Sequence, residues 1–269
     1  MKYANAAKEL LAAGYARVQL TGRERDSLVA VRAAASEFFG RPEAEKRLHG
    51  SDDFIFGFRP YGRQFSITPD RPDMCESFTY WSDDPSLIPG NNELLPFVGA
   101  LRAYRATMAD LTGSILDQLA AHYSYQSALD FGPASYIEIN WYIEDSDRDL
   151  LQDRHEDGHL LSMVVPDRPG LEIEVDGQMR AEAFEEGELL IMPGSLLTSM
   201  TGGAVPPLYH QVRNHHFTQR LTVLYFVNTP LHGSVDPYQV TDCNRDVDIV
   251  QVARANCTFY GKPDPPVLG

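Results

Sequence analysis

What the chain lacks narrows its function before any motif is considered. It has only three cysteines, Cys75, Cys243 and Cys257. They are odd in number and far apart, so neither a disulfide framework nor a C-x-x-C zinc or redox pair is expected, and the thiols read as buried or idle. Basic residues are scarce: 23 Lys+Arg stand against 38 Asp+Glu, a formal net charge of −15. Nucleic-acid affinity comes largely from cations that displace phosphate counterions, so nucleic acid and anionic membrane are not expected as partners. No apolar run approaches the roughly 20 residues of a membrane span. The Ala-rich N-terminal stretch is broken by Lys8 and Glu9 and lacks the apolar core of a secretory signal, which leaves a cytoplasmic location as the expectation.

What is present suits one globular unit. Hydrophobic residues make up 43% of 269 residues and aromatics 10%, enough for a large core. No internal repeat or long linker interrupts it, so a single domain over 1–269 is expected. Its parts are a helical and loop segment over 1–125, a β core over 130–230 and a C-terminal tail over 231–269. Leu28, Val31, Ala35, Phe38 and Phe39 keep helical spacing before Gly40 and Pro42 stop the pattern. A second helix is predicted from near Pro96, with Leu101, Tyr104, Met108, Leu111, Ile115 and Leu119 on one stripe that packs on a sheet. Residues 52–90, rich in Gly, Pro, Asp and aromatics, read as irregular loops and short strands.

From about residue 134 the period falls to two. Ile137, Ile139, Trp141 and Ile143 alternate with Glu138, Asn140, Tyr142 and Glu144, a strand with one apolar and one polar face. Further strands are predicted over 160–165, 171–175 before the Asp176-Gly177 turn, 188–192, 196–200 and 219–228. In the last, Arg220, Thr222, Leu224 and Phe226 share a face. Many short strands after a helical start indicate an α+β, mainly β protein: a sandwich or barrel backed by helices.

The densest group of ligand-type side chains is Arg154-His155-Glu156-Asp157-Gly158-His159. On an extended chain His155 and Asp157 point the same way and can share one metal ion. On a helix, His155 and His159 would instead form the H-E-x-x-H zinc pattern. Asp157-Gly158 is poor for helix propagation, and the Ser162 to Pro166 stretch reads as a strand, so the extended form is expected over the helix. A merely hydrogen-bonded surface cluster is the third possibility. A third ligand is sought roughly fifty residues on, among His210, His215 and His216; His210 is favoured because Arg220 and Thr222 share one face of the next strand.

With these residues in view, the chain resembles the isopenicillin N synthase-like branch of the non-haem iron(II) and 2-oxoglutarate-dependent dioxygenases. His155-Glu156-Asp157 resembles that family's H-x-D motif, Gly170-Leu171-Glu172-Ile173 its Gly-Leu-Gln-Val strand and His210-Gln211-Val212 its His-Arg-Val. Arg220-Leu221-Thr222 is similar to its Arg-x-Ser, Asn140-Trp141-Tyr142 to its Asn-Tyr-Tyr, Glu76-Ser77-Phe78 to its Glu-Ser-Phe and Gly57-Phe58 to its Gly-Tyr. Order and spacing make the set specific, with 53 residues from Asp157 to His210 and ten more to Arg220. The resemblance implies a double-stranded β-helix, the jelly-roll-like core of that family, buttressed by the helices of the N-terminal half. It implies iron(II) on His155, Asp157 and His210, with 2-oxoglutarate and O2 as cosubstrates. Two imidazoles and a carboxylate on one face of an octahedral ion leave three exchangeable positions. Arg220, Thr222, Tyr142 and Asn140 are then expected to hold 2-oxoglutarate, the arginine through a planar fork on its far carboxylate.

The activity implied is oxidation of an unactivated C–H bond of a small organic molecule, by hydroxylation, desaturation or ring closure, in small-molecule or natural-product metabolism. Halogenating variants replace the carboxylate ligand, so Asp157 speaks against that outcome. Ile55 stands where the synthase has an arginine that grips its tripeptide, so that substrate is not expected. A 2-oxoglutarate-independent iron oxidase of the same fold and a non-catalytic metal-binding barrel are the alternatives. Substrate contacts are sought at Phe58, Arg59, Arg63, Arg154 and Phe226, where the arginines would suit an acidic group.

Overall fold

The computed structural model describes residues 3, 5–52, 55–81, 94–143 and 146–259. Helix α1 (Ala6–Ala13) ends at Gly14, whose φ of 79° lets its N–H close on the Leu10 carbonyl at 3.0 Å. Strand β1 (Ala16–Gln19) leads to α2 (Arg23–Phe39), the helix foreseen from Leu28 onward, and a short α3 (Glu43–Lys46) follows. In the loop-rich region lie β2 (Gly57–Arg59) and β3 (Cys75–Tyr80). The long helix α4 (Leu95–His122) buries the predicted stripe, with Leu101, Tyr104, Met108, Leu111, Ile115 and Leu119 all fully covered.

The remaining strands are β4 (Tyr136–Tyr142), β5 (Leu150–His155), β6 (Leu161–Pro166), β7 (Leu171–Val175), β8 (Gln178–Ala181), β9 (Glu188–Pro193), β10 (His210–Arg213) and β11 (Arg220–Val227), with α5 (Ser195–Met200) before β10 and α6 (Ile249–Phe259) last. They form a seven-stranded sheet in the order β1-β9-β6-β11-β4-β3-β2 and a four-stranded sheet in the order β5-β10-β7-β8. All pairings are antiparallel. Asp176 and Gly177, at φ 54° and 74°, make the two-residue hairpin between β7 and β8.

Alternation along the strands divides the core in two. Ile139, Val165, Ile191 and Val223 of the large sheet join α1, α2 and α4 in one apolar cluster. Their neighbours Val164, Leu190, Leu224 and Phe226 face the other way and meet Leu171, Ile173 and Val212 of the small sheet. Each such side chain, fully buried, contributes about 1.5–3 kcal/mol. The helices therefore stiffen one face of the large sheet, leaving the other to form a site with the small sheet.

The 196–200 segment is helix α5 and not a strand: the N–H groups of Leu197 and Thr198 both return to the Gly194 carbonyl, and Leu196, Leu197 and Met200 bury at helical spacing. A short apolar run carries no periodicity long enough to separate the two states. Glu144, and 82–90 of the loop-rich region, lie outside the described residues, as does the side chain of Cys257; Cys75 is a buried free thiol and Cys243 an exposed one. Among the described residues no helix is long and apolar enough to cross a membrane.

Candidate metal and oxo-acid site

The H-E-D-G-H segment is extended at its start: His155 ends β5, and Asp157 follows in the turn. Strand β10 lies beside β5 with His210 opposite His155 in register. One ligand atom each from His155, Asp157 and His210 lies within 4.8 Å of the others. His155 Nε2 is 3.7 Å from Asp157 Oδ1, and His210 Nε2 is 3.8 Å from Oδ2. Both imidazoles are oriented from behind. Nδ1 of His155 donates to the Asp153 carbonyl at 2.7 Å and Nδ1 of His210 to that of Leu208 at 3.2 Å, which leaves each Nε2 lone pair facing Asp157.

Electrostatics favour the same use. Burial alone pushes the Asp157 carboxyl up, but His210, His155, His159 and a hydrogen bond from Ser162 outweigh it and hold the group at about 2. Burial, with His155 close by, pulls His210 down to about 4 against the pull of Asp157. The ionised Asp157 carboxylate and the lowered His210 imidazole are in the protonation states that binding a divalent cation requires. The Asp157 backbone is clamped too. Ser195 N–H donates to its carbonyl at 2.9 Å, and Gly194 packs so close that a Cβ there would lie 2.6 Å from that oxygen. Gly194 has φ −104° and ψ 178°, open to any residue, so the demand for glycine here is one of space.

A second group lies along β4 and β11, paired Arg220 to Tyr142, Thr222 to Asn140, Leu224 to Glu138 and Phe226 to Tyr136. Arg220 is 2% exposed, with Nε donating to the Pro169 carbonyl at 3.2 Å and Nη1 to the Thr222 hydroxyl at 3.1 Å. Among the described residues it has no ion pair, so a buried guanidinium is left for an anion from outside the chain. Gly170 beside it is required by the backbone: its φ is 129°, and a Cβ there would stand 2.8 Å from the Arg213 carbonyl oxygen. The Tyr142 hydroxyl, pushed up to about 12 by burial against the opposing pull of Arg220, donates to Gln152 Oε1 at 2.9 Å. Asn140 is 1% exposed and its Oδ1 has no hydrogen-bond partner among the described residues. Asn140 and Gln152 line the same cavity as the His-Asp-His cluster, so the two groups share one space.

The substrate positions sought in the sequence scatter. Phe226 lines that cavity. Phe58 instead packs on Phe38 in the helix-side core, ring centroids 6.0 Å apart. Arg59 is buried against Glu138, Arg63 is exposed, and Arg154 sits over the Tyr209 ring and pairs with Glu174 outside the cavity. The cavity also takes in polar residues that sequence reasoning did not place at the site, among them Gln64, Asp73, Glu138 and Gln152. Only Glu138 carried a signal, standing two residues before Asn140 on the polar face of its strand. His159 is held by Asn228 at Nδ1, 3.0 Å, and by Tyr136 at Nε2, 3.2 Å, and is not part of the ligand cluster.

No protein-family model matches the chain. Clavatol oxidase of Penicillium crustosum is 25% identical over 200 residues, 68% of this chain. That stretch spans only 59% of the oxidase's own length. A full-length Neurospora crassa protein crystallised with alpha-KG superposes with a TM-score of 0.78 at 16% identity over 96% of this chain and 90% of its own. The same protein has been crystallised with alpha-KG and thymine. A Caulobacter crescentus protein assigned to the 2OG-Fe(II) oxygenase family gives 0.76 at 18% identity over 95% and 94%. Arabidopsis thaliana dioxygenase for auxin oxidation 1, bound to 2-oxoglutarate, gives 0.68 at 17% over 87% and 90%.

Proposed function

We propose, from the premise that the chain has the double-stranded β-helix fold of the Fe(II)/2-oxoglutarate oxygenases, that it is itself such an oxygenase, acting on a small organic molecule in the cytoplasm as one domain. One juxtaposition carries the reading: a largely buried His-Asp-His face shares its cavity with Asn140, on a polar row that ends in a buried arginine with no ion pair among the described residues. His155, Asp157 and His210 would hold iron(II), since two neutral imidazoles and one carboxylate suit that ion and leave three positions open. Arg220, with the Thr222 and Tyr142 hydroxyls and the Asn140 amide, would hold 2-oxoglutarate.

Iron(II) and 2-oxoglutarate held there would supply the chemistry of O2 reduction, two of its four electrons coming from conversion of the oxo acid to succinate and CO2 and two from oxidation of the substrate C–H bond. The chain supplies position and charge. Arg220, 2% exposed, would pair with the far carboxylate through the N–H groups that Pro169 and Thr222 leave free, so that the oxo end of the molecule is presented to the ion. Asp157 stays ionised and His210 neutral, so neither has to lose a proton before the metal binds. Clavatol oxidase, and the Neurospora structure with thymine, support a small substrate.

The test is an anaerobic titration with iron(II) followed by 2-oxoglutarate. A visible charge-transfer band on adding the oxo acid is expected, and turnover should consume O2 and release succinate. Iron binding without the band, with full-rate oxidation in the absence of any 2-oxo acid, would instead place the chain among the 2-oxoglutarate-independent oxidases.

A further inference from the structure

The cavity that holds the His-Asp-His face is rich in acid and poor in base. Among the described residues that line it there is no lysine or arginine, whereas Asp73, Glu138 and Asp157 all contribute. Asp157 belongs to the metal face, and the other two carboxylates have no part in the chemistry assigned above. The pairing of β4 with β11 spaces the stations along the cavity in order. Arg220 with Tyr142, set back behind the lining, and Thr222 with the lining residue Asn140 form the oxo-acid end, Leu224 with Glu138 the next step, and Phe226 with Tyr136 the one beyond. Successive same-face residues on a strand are roughly 7 Å apart, so Glu138 stands one small molecule's width past the oxo acid.

Glu138 is fully buried, which is costly for a carboxylate unless the surroundings hold it. Gln64 Nε2 donates to its Oε1 at 3.1 Å, and Arg59 Nη1 lies 3.5 Å from its Oε2 while donating to Gln64 Oε1 at 2.9 Å. Arg59 does not line the cavity, so its charge is spent on Glu138 from behind. Asp73 is held in the same manner, accepting from the Ser66 N–H at 3.1 Å, the Ser66 hydroxyl at 2.8 Å and Gln152 Nε2 at 3.2 Å. Two carboxylates fixed by neighbours, against one arginine set back, give this wall a negative field with the geometry of an acceptor. Leu224, Phe226 and Phe65 supply the apolar remainder.

We propose that Glu138 is the specificity element for the primary substrate, with Asp73 adding negative charge to the same lining from beside Gln152, nearer the oxo-acid end, and that it selects a small neutral or cationic molecule presenting N–H donors, as an amide or amidinium edge does, and rejects carboxylates. The inference rests on the oxygenase reading, because that reading decides which end of the cavity the oxo acid fills. It reverses the expectation of an acidic substrate held by Arg59, Arg63 or Arg154, none of which lines the cavity.

Benzamide, benzamidine and benzoate test it, since they share a shape and differ in charge and in hydrogen-bonding sense. Each is titrated by ligand-observed NMR into protein loaded with manganese(II) and 2-oxoglutarate without O2, after binding of the metal and the oxo acid has been measured in the same sample. Benzamidine and benzamide should bind at least about tenfold more tightly than benzoate, the scale of one hydrogen bond to a charged group. Glu138→Gln, which keeps the shape, should bring the three to within about threefold, with Asp73→Asn as the second variant if that protein does not fold. Benzoate equal to or tighter than the other two in the wild-type protein overturns the inference, as does an unchanged order in the folded variant or no saturable binding of any probe. Failure of 2-oxoglutarate to bind overturns the oxygenase reading instead, and it is read from a separate titration.

Discussion

The guanidinium of Arg220 lies over the Tyr142 ring, 4.3 Å from its centroid, on the strand register that pairs the two residues. The ring thus shapes one side of the arginine, while Thr222 and the Pro169 carbonyl take two of its N–H groups. The remaining donors keep a fixed direction, as two-pronged recognition of a carboxylate demands. Removing the arginine should therefore act on the oxo acid and spare the metal. In Arg220→Ala the concentration of 2-oxoglutarate needed for half-maximal turnover should rise by roughly thirtyfold to several thousandfold, the equivalent of about 2–5 kcal/mol. Arg220→Lys should recover only part of this, and metal affinity measured by calorimetry should stay near the wild-type value in both.

The metal face should fail one ligand at a time. His155→Ala, Asp157→Ala and His210→Ala are each expected to lose the thermal stabilisation that manganese(II) or cobalt(II) gives the wild-type protein. The exposed His215 and His216 serve as controls whose alanine variants keep it. His159→Ala should also keep the metal response but melt lower, because it leaves Asn228 and Tyr136 without their shared partner. A His159 variant that lost metal would revive the helical zinc reading of the segment.

Support behind the ligands should matter almost as much as the ligands. Ser162 donates to Asp157 Oδ2 at 2.6 Å, a hydrogen bond to a charged group worth about 1.5–3 kcal/mol. Ser162→Ala should weaken metal binding by roughly tenfold to a hundredfold with little change in helical or sheet content. Gly194→Ala attacks the same carboxylate through its backbone, since the new methyl would press on the Asp157 and His159 carbonyl oxygens. It should lower both the melting temperature and the metal affinity, measured by thermal melts with and without cobalt(II).

Asp73 should show in the pH profile of stability. Burial raises it from 3.8 to about 6, against the hydrogen bonds from Ser66 and Gln152. Between those two values the native state holds a proton that the unfolded chain has released. The contribution is therefore full below about pH 4 and lost as the pH rises to about 6, a change of up to about 3 kcal/mol. His210, lowered from 6.5 to about 4, works in the opposite direction over much of the same range, so the wild-type curve alone mixes the two. The difference between wild type and Asp73→Asn isolates the first. The variant should lose ground at pH 4 and regain it by pH 6.5 in urea melts.

Legibility followed periodicity and fixed spacing. The stripe of α4 and the alternation of β4 and β11 could be read because each spans several repeats of its period. His155, Asp157, His210 and Arg220 stood out because their residue types and intervals form a pattern together. Strand β5 was missed since Gln152, Asp153 and Arg154 give it no apolar alternation; in the structure Gln152 lines the cavity while Asp153 is covered by its ion pairs with Arg71 and Arg148. Helix α5 was misread because five apolar or small residues fit either state until Gly194 turns the chain. Gln64 and Asp73 come from a stretch with no period at all, and only the folding of that loop onto β4 and β5 brings them to the cavity.

The register that sets His210 beside His155 gives the ion a mechanical role as well. Any cation shared by these two residues ties together points roughly 55 residues apart, spanned by strands of both sheets, and closing such a loop is the most entropically demanding part of assembling the small sheet. The ion would act there as a removable cross-link, and its binding energy would be partly folding energy of the sheet that holds it. Chelation should then loosen β5, β10, β7 and β8 before it disturbs the helix-backed large sheet, making half of the barrel a metal-dependent structure on a metal-independent foundation.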